Sequence, residues 1–197
     1  MFQYLHSAPV ISANVETGFS VTRSITPYVQ STGTDVNNPW INWNIPPNGK
    51  IDGLIHSHNC PNPNTQCAAT ILSPQDVIFM AQLFINGNVK DTNNFFFGVA
   101  NNNLPYLLKV TNTAKFRLFA NEIAGNANKI KTFIDKYDSK LKSSDPDLNE
   151  TNFLQMLKDY GIGNGLSLFR GNNSCNEWIK LKAGAYGPVE DPCLTSN

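Results

Sequence analysis

An apolar run that ends in two histidines, Gly53-Leu54-Ile55-His56-Ser57-His58, is followed at Ser73-Pro74-Gln75-Asp76 by the opening of an amphipathic segment. In an extended strand, residues i and i+2 point to the same face, so both imidazoles project to one side. Ser73 is a good helix N-cap and Pro74 suits the first helical position. Val77, Ile78, Ala81 and Phe84 then recur on one helix face, and Gly87 marks its end. The chain must therefore place a buried strand against the helix that follows it, with Asp76 in the first turn. Asp76 could complete a three-ligand site with the two histidines, and three protein ligands with one position left open is how catalytic zinc is usually held.

The remaining segments predict a mixed α/β fold. Residues 18–25 alternate and are β-branched, as a strand requires. Trp40 to Ile45 alternates too, which predicts a strand before the turn signal Pro46-Pro47-Asn48-Gly49. Ile51–His58 is the strand that carries the histidines. Phe95–Ala100 and Tyr106–Val110 predict two strands joined by an Asn-rich turn. Thr113 is expected to cap one helix from Ala114 to about Lys142, with Gly125-Asn126 as its weak point. Ser143-Ser144-Asp145-Pro146 breaks the chain, and a shorter helix runs to Tyr160. Leu166–Phe169 and Trp178–Leu181 predict a hairpin. The expected order β-β-β-α-β-β-α gives a mixed sheet flanked by helices over residues 1–145. A C-terminal helix-and-hairpin extension follows over 146–197.

Composition narrows the function classes. Hydrophobic residues make up 41% of the 197, enough for a core, and only 15% are charged. The 15 basic and 15 acidic residues balance, so neither a nucleic-acid partner nor an anionic membrane surface is expected. No apolar run reaches the ~20 residues that span a bilayer, and no signal peptide is visible at the N-terminus. Four cysteines form two local pairs, Cys60/Cys67 and Cys175/Cys193, which suits two short-loop disulfides or four free thiols. Localisation stays open, and an extracellular or effector module is compatible with the pairs. The sequons at Asn149 and Asn172 read as chance in an Asn-rich chain. Gly161-Ile162-Gly163-Asn164-Gly165 follows a helix and lacks the Lys-Ser/Thr of a phosphate loop, so it reads as a helix end and turn. The lysines between 129 and 142 read as a solvated helix face.

His-x-His at a strand end, followed by Ser-x-x-Asp at a helix start, resembles the JAMM (MPN/JAB) metalloprotease motif, over roughly residues 10–125. The resemblance implies an MPN/cytidine-deaminase-like core, with His56, His58 and Asp76 as Zn2+ ligands and Ser73 assisting the oxyanion. It also implies an upstream glutamate as general base, and Glu16 is the one glutamate before the histidines. The activity implied is hydrolysis of a peptide or isopeptide bond in a peptide or protein-conjugate substrate, with the bacterial members among the relatives. The Asn-rich composition resembles modules of larger secreted or effector polypeptides. Residues 59–72 form a longer spacer than the motif usually has, and an insertion closed by a Cys60–Cys67 disulfide would account for it. Asn59 stands where the motif often has proline.

Three other readings stand beside this one. Ser73 and Asp76 could serve only as a helix cap, a role that competes with ligation for Asp76. The fold could be a non-catalytic binding or assembly module. Cys60 could complete a structural zinc site as fourth ligand.

Overall fold

The structure is a computed structural model and describes residues 1–22, 28–34, 41–43, 45, 49–59, 71–141, 145–184 and 187–191. Its strands are β1 (Thr17–Val21), β2 (Tyr28–Thr32), β3 (Gly53–Ser57), β4 (Phe96–Ala100), β5 (Tyr106–Val110), β6 (Leu166–Gly171), β7 (Trp178–Ala183) and β8 (Pro188–Asp191). They form one eight-stranded mixed sheet in the order β2-β1-β3-β4-β5-β6-β7-β8. β3 and β4 pair in parallel, and every other neighbour pair is antiparallel. The helices are α1 (Phe2–Leu5), α2 (Ala8–Ile11), α3 (Pro74–Ile85), α4 (Thr113–Ile123), α5 (Ala127–Lys140) and α6 (Pro146–Asp159).

β3 is buried along its whole length, and its alternation sorts the two layers. Leu54 belongs to the main core beside Phe97, Val99, Leu108 and the inner face of α3, which buries Val77, Met80, Ala81, Leu83 and Phe84. Ile55 faces the other way, into a smaller cluster with Leu5, Val10, Ile11, Phe19 and Ala100. Thus α1 and α2 back one face of the sheet while α3 packs on the other. Each fully buried Leu or Phe contributes ~1.5–3 kcal/mol relative to exposure.

Several expectations hold. α3 starts at Ser73 and Pro74, ends at Asn86, and is followed by Gly87 at φ 75°. The β4–β5 and β6–β7 pairs fall where the alternation put them. Six features differ. β1 ends at Val21, and residues 23–27 lie outside the description. β2 was not anticipated; it pairs with β1 through residues with little apolar alternation. Residues 41–43 form no strand and lie across the sheet face, where Trp43 stacks on Phe79; Trp40 lies outside the described residues. The single helix expected after Thr113 is two. Gly125 adopts φ 78°, and Asn126 caps α5 by accepting from Lys129 N–H at 3.1 Å. Asn112, not Thr113, caps α4. The C-terminal part adds β8 to the expected hairpin and continues the same sheet.

A buried polar cluster ties α6 to that sheet. Glu150 is fully buried. The Tyr106 hydroxyl donates to its Oε1 at 2.7 Å, and Arg170 Nη1 lies 3.1 Å from its Oε2. Burial pushes the Glu150 carboxyl up, and the Tyr106 hydrogen bond and Arg170 pull it back. Asn149, the first sequon, is also buried, which agrees with its reading as chance. Replacing Arg170 with methionine strands the Glu150 carboxylate, and a loss of about 3 kcal/mol is expected. Urea unfolding measures it; R170K should lose less, and an unchanged R170M midpoint would mean that Glu150 does not depend on Arg170.

Candidate metal centre

The site is built where β3, β1 and the start of α3 meet. Gly18 on β1 pairs with His56 on β3. Glu16 lies two residues before Gly18 and so shares its face, the face on which the imidazoles stand. The His58 N–H donates to the Ala100 carbonyl at 2.7 Å, which carries the parallel pairing past the end of β3. His56, His58, Glu16 and Asp76 are all buried.

Their donor atoms converge. One ligand atom from each of Glu16, His56 and His58 lies within 4.8 Å of the others, so this buried group could hold a metal ion. Asp76 Oδ1 is 3.3 Å from His56 Nε2, and Asp76 Oδ2 is 3.2 Å from His58 Nε2. A tetrahedral ion with bonds of roughly 2.0–2.1 Å holds its ligands about 3.3 Å apart. The imidazole–carboxylate spacing therefore suits such an ion. Glu16, expected as a base, stands near enough to both imidazoles to serve as a ligand as well.

The helix start supplies Asp76. Ser73 Oγ accepts from Asp76 N–H at 3.2 Å, and Asp76 Oδ2 accepts from Ser73 N–H at 2.7 Å, a reciprocal capping box. The cap therefore does not turn the carboxylate away from the imidazoles, since Oδ2 accepts from Ser73 N–H and also lies 3.2 Å from His58 Nε2. Oδ2 serves the cap while Oδ1 faces His56. As Ser73 Oγ accepts in the cap, its own proton remains to be donated elsewhere. The Tyr137 hydroxyl of α5 donates to the Leu72 carbonyl at 2.5 Å and anchors the residue just before this cap.

Electrostatics leaves the ligand forms in place. Burial lowers the His56 pKa to about 4, so its imidazole is neutral at pH 7. Burial would raise Asp76, but the two histidines and the Ser73 N–H hold it at about 2. Burial raises Glu16 to about 7, opposed by His58 and by a hydrogen bond from the Ile41 backbone. That value suits a group that must both take and give a proton near neutrality.

Several contributors were not legible in the sequence. Trp43 and Phe97 meet the His56 ring edge-on, with centroids 5.9 Å and 5.4 Å away. Gly18 permits this, since a Cβ there would lie 2.7–2.8 Å from Ile41, Trp43 and the Ile55 carbonyl. The alternation of residues 40–45, read as a strand, marked this covering segment. Cys60, Cys67 and Cys193 lie outside the described residues, so the expected insertion, its expected disulfide and the reading of Cys60 as a ligand fall there too. Cys175 is a free thiol among the described residues.

In the metal-free protein the raised Glu16 pKa has a stability consequence. The folded state binds this proton more tightly than the unfolded chain does, so folding loses stability as pH rises from about 4.5 to about 7. Chelator-treated E16Q should therefore unfold at higher denaturant than wild type at pH 8, by about 2 kcal/mol. The gap should close at pH 4, and equal midpoints at both pH values would overturn the burial account. No protein-family model, curated protein or solved structure matches this chain, so the geometry of these four side chains is the ground on which a function must rest.

Proposed function

We propose that the chain is a zinc-dependent amide hydrolase acting on a peptide or isopeptide bond. The observation that carries this reading is the buried Glu16–His56–His58 group, which could hold a metal ion, with the Asp76 carboxylate 3.3 Å and 3.2 Å from the two imidazoles and the Ser73 hydroxyl in the cap on Asp76. The order of these residues, which resembles the JAMM motif, supports it as well. His56, His58 and Asp76 would hold the ion. When bound, zinc supplies Lewis acidity and lowers the pKa of a coordinated water to about 7.

The protein groups then divide the work. Glu16 takes the proton of the attacking water as its oxygen bonds to the carbonyl carbon. The same carboxyl delivers that proton to the amide nitrogen as the C–N bond breaks, leaving a carboxylic acid and an amine. The Ser73 hydroxyl donates to the carbonyl oxygen as it gains negative charge. Trp43 and Phe97, packed on His56, limit water around the imidazole and fix its plane.

Metal content and turnover test the reading separately. Protein purified without chelator should carry about one zinc per chain by elemental analysis, and H56A and D76A should carry none. Against a library of peptide and isopeptide substrates, E16Q should still load one zinc at saturating metal, with a Kd weakened about tenfold, and lose ~100-fold or more in kcat. S73A should lose ~100-fold in kcat and about 1 kcal/mol of stability with its cap. Zinc retained by E16Q with no hydrolysis by wild type would favour a structural or assembly role, and no metal uptake at all would sink the zinc reading.

A further inference from the structure

We infer that Asn59 is a positioning residue that sets the place of Glu16, an inference resting on the metal-centre reading above. Asn59 immediately follows the second histidine and is about nine-tenths buried. Its side-chain Nδ2 donates to the Ala13 carbonyl at 2.9 Å and also to the Val15 carbonyl. Both acceptors are backbone carbonyls, so the amide nitrogen, and not its oxygen, must face them. These two carbonyls belong to the segment that runs directly into Glu16.

The other side of Glu16 is held from the same strand. The Thr17 N–H donates to Ser57 Oγ at 3.0 Å, in a fully buried contact. The Glu16 carbonyl accepts from Gly33 N–H at 2.9 Å. In His56-Ser57-His58-Asn59 the roles therefore alternate. The histidines face the metal point, and the residue after each one grips the chain on either side of the carboxylate that must meet them. One strand end carries two ligands and also fixes the distance from those ligands to Glu16.

Glu16 needs such a hold. Only four residues separate α2 from β1 apart from Glu16 itself, and that short connection has no regular backbone pairing of its own. A proline at position 59 could make neither contact, because it has no side-chain donor. Asn59 Oδ1 is buried with no hydrogen-bond partner among the described residues. An unmade bond of that kind is tolerated where the other end of the amide is needed, and burying it has a cost.

Cobalt binding provides a readout that needs no substrate. Chelator-treated protein titrated with Co2+ should bind one equivalent with visible d–d absorption, and H56A should not. Failure of that first step would defeat the metal-centre reading itself. If it succeeds, N59A and N59D should each weaken the Co2+ Kd about tenfold and change the visible spectrum in the same sense as E16Q. In an E16Q background, N59A should add less than about a twofold further change, because Asn59 acts through Glu16. A purely structural Asn59 would weaken cobalt binding by the same factor in both backgrounds, which would overturn the inference. So would N59A and N59D titrations that match wild type, or an effect of N59A where E16Q has none. Should N59A fail to fold, N59S, which keeps one donor, enters the same cycle, expecting a smaller shift that again vanishes with E16Q.

Discussion

The Asp76 carboxylate is the contact on which the organisation of this molecule turns. It closes the capping box that begins α3, and the same group approaches both imidazoles at the end of β3. Helix capping and strand–helix docking are usually separable, each worth about a kilocalorie or two per mole. Here one side chain does both, so the angle at which α3 leaves the sheet also fixes the shape of the site. The parallel pairing of β3 with β4 follows from this arrangement, because the chain must cross over through α3 before it returns to the sheet.

Holding such a group together has an energetic cost that the rest of the fold must carry. Four ionisable groups share a buried volume, and burial drives His56 and Glu16 towards their neutral forms. A cation in their midst would reverse that cost, and folding free energy would then be linked to metal supply. The offsetting terms in the protein alone are apolar. Phe97, Leu54 and Val99 lie under the site, and Trp43 closes over it against Phe79. This apolar surround offsets the cost of burying ionisable groups.

Much of the site was legible because its parts are short-range. The i, i+2 histidines, the Ser73 cap and the Pro74 start each depend on local geometry that two or three residues specify, and α3 and β5 appeared where those rules put them. Contacts made across the sheet were not legible. The strand β2 carries Tyr28-Val29-Gln30-Ser31-Thr32, whose pairing with β1 is dictated by β1's open edge and not by its own pattern. Residues 41–43 alternate as a strand would, yet the space above Gly18 lets them pack by their side chains instead of joining the sheet. The break between α4 and α5 was visible as Gly125-Asn126, but only its positive φ and the Asn126 cap decide that it is a corner. Ser57 and Asn59 resemble ordinary polar residues until the segment on either side of Glu16 is brought beside them.

The division of β3 into two faces also limits how this protein can diverge. A shift of one residue in its pairing would turn Ile55 and Ser57 to the metal side and bury the imidazoles against α1 and α2. The N-terminal core and the site would fail in the same step, so neither can be altered by sliding the strand. At the opposite end of the sheet, β8 has partly exposed residues and, among the described residues, pairs with β7 alone. Lengthening, loss or pairing of β8 with another chain would leave β3 in register. Variation in size and attachment can therefore accumulate at that edge, while the buried Glu16–His56–His58 group stays fixed five strands away.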